Sequence, residues 1–339
     1  MRIYHRGGCL KAIASSNKVK HCTYAPKLIV KYKFDKSICE DLIPEFNTGY
    51  NSYEIVDEYL NTEDIVTTTT ETIMIMNHDA ELDEYGVLTT EHEVENVSTF
   101  SAENIVTRTI YSNELPTKVQ FGAGPGIASS ERTSCLLEVL YLETRNLTTM
   151  ESLFDFCINL SKVNTVGWNT SKVTNMNFAF FSCYSLTDID FSAINTSNVE
   201  CMWELLTGYN AIIELDLSSW DVSKVYDMDE LLAHSPYLTQ LNISNWDLRR
   251  LEYRSGMFYN CYSLNTVIMN NSNCVSVNKI IEQLPDRIED EPGVLIIDGI
   301  DDINQVDASS AQTKNWNIVN ESETSEFILG KSKLGINKL

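Results

Sequence analysis

Between Thr144 and Met269 apolar positions recur every 26 residues without an insertion. One column holds Leu147, Val173, Val199, Val225 and Leu251, and a second holds Met150, Met176, Met202, Met228 and Arg254. A third holds Phe154, Phe180, Leu206, Leu232 and Phe258; a fourth Leu160, Leu186, Ile212, Leu238 and Leu264; a fifth Val163, Ile189, Leu215, Leu241 and Val267. Fixed self-similarity at this period marks units that cannot bury an apolar face alone and lend it to a neighbour. Within a unit, Ile189 and Phe191 alternate with Asp188, Asp190 and Ser192, which is strand periodicity. Asn, Asp and Ser then supply turn chemistry around Trp168 and Trp220. Val173, Met176, Phe180 and Cys183 follow at three- and four-residue steps, the spacing of a helical stripe. The pattern therefore predicts an α/β solenoid, a leucine-rich-repeat-like stack of 26-residue strand-turn-helix units over 144–275.

Outside the repeats the pattern is less regular. Residues 27–34, 72–76, 92–97 and 105–111 are short β-rich runs, so 27–120 reads as a small β-rich docking domain with a helical piece near 37–46. Glycines at 122, 124 and 126 suggest a hinge, and 121–143 an N-terminal cap whose strand contains Leu137 and Val139. At the far end, 276–339 reads as a capping unit and tail. It contains a helix ending at Pro285, a last strand at 294–297, and a closing segment whose Trp316 would cover the final coil.

At Trp168-Asn169-Thr170-Ser171-Lys172-Val173-Thr174-Asn175-Met176, then Phe180-Phe181-x-Cys183-x-Ser185-Leu186 and Ile189-Asp190-Phe191-Ser192, the chain resembles the BspA-like leucine-rich-repeat surface proteins. Residues 256–264 repeat the motif closely, and Ile194, Tyr209, Ser235 and Arg254 depart from it without disturbing the spacing. The resemblance implies a bacterial surface protein or a bacteriophage particle component. Residues 1–24 interleave cations with Gly, Ser and His and hold no apolar core of roughly 7 to 15 residues, as a secretory leader would. The expectation is therefore a virion protein of the tail, baseplate or fibre type, assembled in host cytoplasm and displayed on the particle. A purely structural virion role and a bacterial cell-surface adhesin are the alternatives.

Charge refines this picture. Residues 1–34 carry eight Lys/Arg and no acid, or +8, against −23 for the whole chain, leaving −31 for the rest. A basic arm over 1–26, with Arg2, Arg6, Lys11, Lys18 and Lys20, is expected to anchor the protein to an acidic virion neighbour or to another copy of itself. Nucleic acid is disfavoured, because the acidic body repels phosphate. No stretch of about 20 apolar residues predicts membrane insertion.

Catalytic motifs are weak throughout, and no reaction and no cofactor are expected. The glycines at 122 and 124 lack the third glycine of a dinucleotide fingerprint, and Ser15 and Lys18 stand without companion motifs. His5, Cys9, His21 and Cys22 lack paired zinc spacing, while Asp79, Glu81 and Asp83, and Asp298, Asp301 and Asp302, lack an EF-hand frame. No metal site is assigned. Nine cysteines, an odd number, fit a reducing assembly site, with Cys157, Cys183 and Cys261 as core packing. The binding expectation falls on the outward strand positions. Asp188, Glu214 and Gln240 would form one row and Asp190, Asp216 and Asn242 the next, offered to a host carbohydrate or basic surface protein.

Overall fold

The computed structural model describes residues 2–4, 27–39, 45–46, 53–59, 105–112, 115–122, 131–209, 211–287 and 291–320. The first strands are Arg2–Tyr4 (β1), Lys27–Asp35 (β2), Glu45–Phe46 (β3), Tyr53–Tyr59 (β4), Ile105–Ser112 (β5) and Val119–Gln120 (β6). After a single helical turn, Glu131–Ser134 (α1), come Leu136–Leu142 (β7), Lys162–Val163 (β8), Asp188–Ile189 (β9), Glu214–Asp216 (β10), Gln240–Asn242 (β11) and Thr266–Ile268 (β12). Helix Cys274–Gln283 (α2), strand Gly293–Ile297 (β13), helix Ala308–Thr313 (α3) and strand Trp316–Asn320 (β14) complete the order.

Strand periodicity builds the amino-terminal sheet. In β2 the rings of Tyr32 and Phe34 and the side chain of Val30 are buried, while Lys31 and Lys33 lie between them on the half-covered face. The sheet runs β1-β4-β5-β2-β7-β8-β9, antiparallel as far as β7 and parallel beyond it. Strand β7 therefore joins two kinds of pairing, meeting β2 on one edge and the first repeat strand on the other. A second sheet, β10-β11-β12-β13-β14, is wholly parallel. Within it Glu214 pairs with Gln240, Leu215 with Leu241 and Asp216 with Asn242, each 26 residues apart.

The expected α/β solenoid of strand-turn-helix units is not what forms. The regular elements among the described residues are mostly strands, in one mixed and one parallel sheet with β3 and β6 as a separate antiparallel pair, and no repeat between 144 and 269 contains an α-helix among the described residues. Backbone hydrogen bonding explains why. An α-helix needs each amide to reach the carbonyl four residues back. Instead the amides of Met176, Phe178, Phe180 and Ser182 reach forward to the carbonyls of Cys201, Trp203, Leu205 and Thr207 in the next unit, at 2.8–3.0 Å. The intervening amides of Ala179, Phe181 and Cys183 close three-residue turns onto Met176, Phe178 and Phe180. The three- and four-residue spacing thus marks a ladder of turns. Left-handed residues close them in pairs: Ser152 and Phe156, Phe178 and Ser182, Glu204 and Gly208, Glu230 and His234, Gly256 and Asn260. Glycine at 208 and 256 meets that backbone requirement without the cost an L side chain brings.

The core is continuous from the first sheet into the repeats. Tyr32 meets Phe121 edge-on at 5.0 Å, and Phe121, Phe154 and Phe180 follow at 5.7 and 5.5 Å between ring centroids. Each ring adds its burial to contacts worth about 0.5–1.5 kcal/mol. Residues 117–121 act as a preceding unit, since Thr148 donates to the Thr117 carbonyl as Thr174 donates to that of Thr148. A Cys39–Cys135 disulfide ties the turn after β2 to the start of β7. That bond departs from the expectation of reduced thiols, whereas Cys157, Cys183 and Cys261 are buried and unbridged.

Several local expectations need correction. Residues 36–38 form a turn and Glu45–Phe46 a strand, where a helical piece was expected. The strand β13 is not the last, because β14 pairs beside it. Trp316 is nevertheless fully buried; its ring lies over Gly293, where a Cβ would come within 2.6 Å of it. The runs at 72–76 and 92–97 lie outside the described residues.

Candidate functional site

The outward strand positions divide between the two sheets. Glu214 stands beside Gln240 and Asp216 beside Asn242 in β10 and β11, but Asp188 belongs to β9, which pairs with β8. Strands β9 and β10 lie in different sheets, so the expected six-residue surface is split. Ile189, placed by periodicity in the buried column, is only half-buried at this parting. Asp188 forms an ion pair with Lys162 on the neighbouring strand.

The second row is occupied in shaping the chain. Asp190, Asp216 and Asn242 each accept, through Oδ1, the backbone amide two residues on, from Ser192, Ser218 and Ser244 at 2.9, 2.9 and 3.1 Å. Asn164 does the same for Val166 at 3.1 Å. Such Asx turns let a short polar side chain replace a backbone acceptor at a corner. Burial disfavours the Asp216 carboxylate, but hydrogen bonds from Ser218 and Asn242 outweigh it and hold the carboxyl below its usual range. A second Asx column, Asn169, Asn195, Asp221 and Asp247, turns the next corner.

The turn ladder presents another surface, which apolar periodicity alone did not single out. Phe156 packs on Phe181 at 5.0 Å, Phe181 on Phe178 at 5.9 Å, and Phe178 on Trp203 at 4.8 Å. Trp203 ends this run with 40% of its surface exposed. Its amide donates to Asn177 Oδ1 and its carbonyl accepts from Phe178, so the backbone below the ring is fixed from the preceding unit. The next residue, Glu204, shares a column with Glu230 one unit on. Burial, together with the Glu230 charge, pushes the Glu204 carboxyl up to about 7. Farther along the stack, Asn260 links Tyr262 to His234, whose ring meets Tyr259 edge-on at 5.2 Å. Tyr259 and Tyr262 are exposed. The signal for this face lies in the left-handed columns, legible only once the turns are known.

Of the basic residues, Arg2 lies in β1, with its backbone paired to Ile55. Arg6, Lys11, Lys18 and Lys20 lie outside the described residues, as do His5, Cys9, His21, Cys22, Asp79, Glu81 and Asp83. The carboxylates near 300 cap turns: Asp298 accepts from Gly299, Asp301 from Cys274 and Asp302, and Asp302 from Asn304. Among the described residues no group of three or more His, Cys, Asp or Glu is placed to hold a metal ion, and no helix is long and apolar enough to cross a membrane.

One family model matches the chain, described as "Mycoplasma protein of unknown function, DUF285", over residues 130–214 and again over 185–287. No curated protein and no solved structure matches it. The two matched stretches overlap and together span the turn ladder and most of the parallel strands. Over residues 130–287 the chain is therefore similar to that family, which supports the BspA-like character of its repeats.

Proposed function

We propose that this chain is a non-enzymatic binding protein displayed outside the cytoplasm, which attaches to a partner surface through its repeats. The observation that carries the reading is the array of large side chains that the fold leaves in solvent on the repeat units: Trp203, Tyr253, Tyr259 and Tyr262. Aromatic side chains give contact area at low conformational cost, which suits recognition. The Cys39–Cys135 bond favours an oxidising setting, and the BspA-like resemblance, which the family match supports, implies a bacterial cell surface.

Antibodies to the full chain should label intact cells of the producing organism, and surface proteolysis should remove that signal. Labelling confined to permeabilised cells would defeat the reading. A bacteriophage tail, baseplate or fibre component remains the second reading, favoured by the +8 charge of residues 1–34 against a strongly acidic body. On that reading the same antibodies label purified particles, whose other proteins and further copies of this chain are its partners.

A further inference from the structure

We propose that the turn face around Trp203 and Glu204 docks a basic polypeptide segment, with a Lys or Arg side chain over the Trp203 ring and its charge against Glu204; this rests on the binding reading above. Trp203 is exposed, yet held by its tilted packing on Phe178 and by the backbone bonds beneath it. A ring fixed in this way loses little freedom on binding, and an indole face attracts guanidinium and ammonium groups.

Charge selects the occupant. Residues 196–246 carry eight carboxylates against one lysine, and that lysine, Lys224, already bonds to Asn198. Asp229 lies in the same column as Trp203, one unit on, and its carboxylate accepts a hydrogen bond from the Ser255 amide. Glu204 follows Trp203 in the chain and is partly withdrawn from water, with Glu230 in its column one unit on, and a cation there relieves the repulsion between the two acids. A neutral sugar could use the ring but gains nothing from this charge. A cation with an alkyl stem uses both.

Binding of a Lys/Arg-rich decapeptide to the full chain, followed by calorimetry at low salt, tests the assignment. Trp203→Ala should weaken it about tenfold, whereas Trp203→Phe retains most of the affinity. The pair Glu204→Gln with Glu230→Gln should weaken it at least fivefold. The control pair Glu214→Gln with Asp216→Asn removes the same formal charge from the strand face and should change affinity less than twofold. Circular dichroism and thermal melting establish that each variant is folded, and Trp203→Leu keeps apolar bulk if the alanine variant is not. Equal losses from the two charge pairs would reduce the binding to diffuse attraction and overturn the proposal. Selective binding of a neutral oligosaccharide that depends on Trp203 would overturn it too. Either result leaves the cell-surface labelling above intact, so the two failures are separable.

Discussion

Glu204 illustrates how one residue can oppose the fold that holds it. Its φ of 51° is left-handed, and its carboxyl is pushed up to about 7 by burial and by Glu230. A carboxyl raised in the folded state binds more protons there than in the unfolded chain across the window from about 4.5 to about 7. Folding is therefore favoured below that window, and the advantage is lost as pH rises through it. Glu204→Gln should raise the melting temperature at pH 8 and leave it nearly unchanged at pH 4.5. Melting curves at both pH values check this, and an equal effect at the two would remove the ionisation argument. Leu215 and Leu241 were legible as inward members of a repeated apolar column, and Trp316 as the cover of the final coil. Glu204 was not, because its surroundings come from residues 26 positions away on either side.

At the scale of the element, the same spacing served two structures. Apolar residues three and four apart line one side of a helix, but they also line the inside of consecutive tight turns. The choice was made by non-local hydrogen bonds, Met176 to Cys201 and onward, which single-segment periodicity does not contain. Other elements fared better: strands β2, β5 and β7 and helix α2 lie near where alternation or helical spacing placed them. Asp190, Asp216 and Asn242 were legible as one repeated column but not as a set of corners. Replacing Asp190, Asp216 and Asn242 by Ala removes three Asx acceptors, each worth about 0.5–2 kcal/mol by the scale of capping side chains. The triple variant should thus unfold at lower urea concentration than the parent, and Asp216→Asn, which keeps the acceptor, should not. An unchanged midpoint for the triple variant would mean that the corners form without these oxygens.

For the whole molecule, β7 is the strand on which the parts meet. It completes an antiparallel sheet on one edge and begins the parallel series on the other, so the first sheet closes the end of the repeat stack. Nothing in residues 136–142 announced that double role, since both pairings reward the same alternation. The Cys39–Cys135 bond, whose ends are 96 positions apart in sequence, acquires a further meaning if the protein works under tension. A pull transmitted along the chain would cross the bond and bypass the loop it encloses. Extended chain spans roughly 3.4 Å per residue, so roughly 330 Å of slack is kept out of the load path while the bond is intact. Stretching single molecules should therefore yield a contour length longer by about that amount in reductant, or in a Cys39→Ser variant. Equal lengths in the two states would mean that the bond is not formed. With the bond closed, an attachment made through the repeats stays short and stiff when it is pulled.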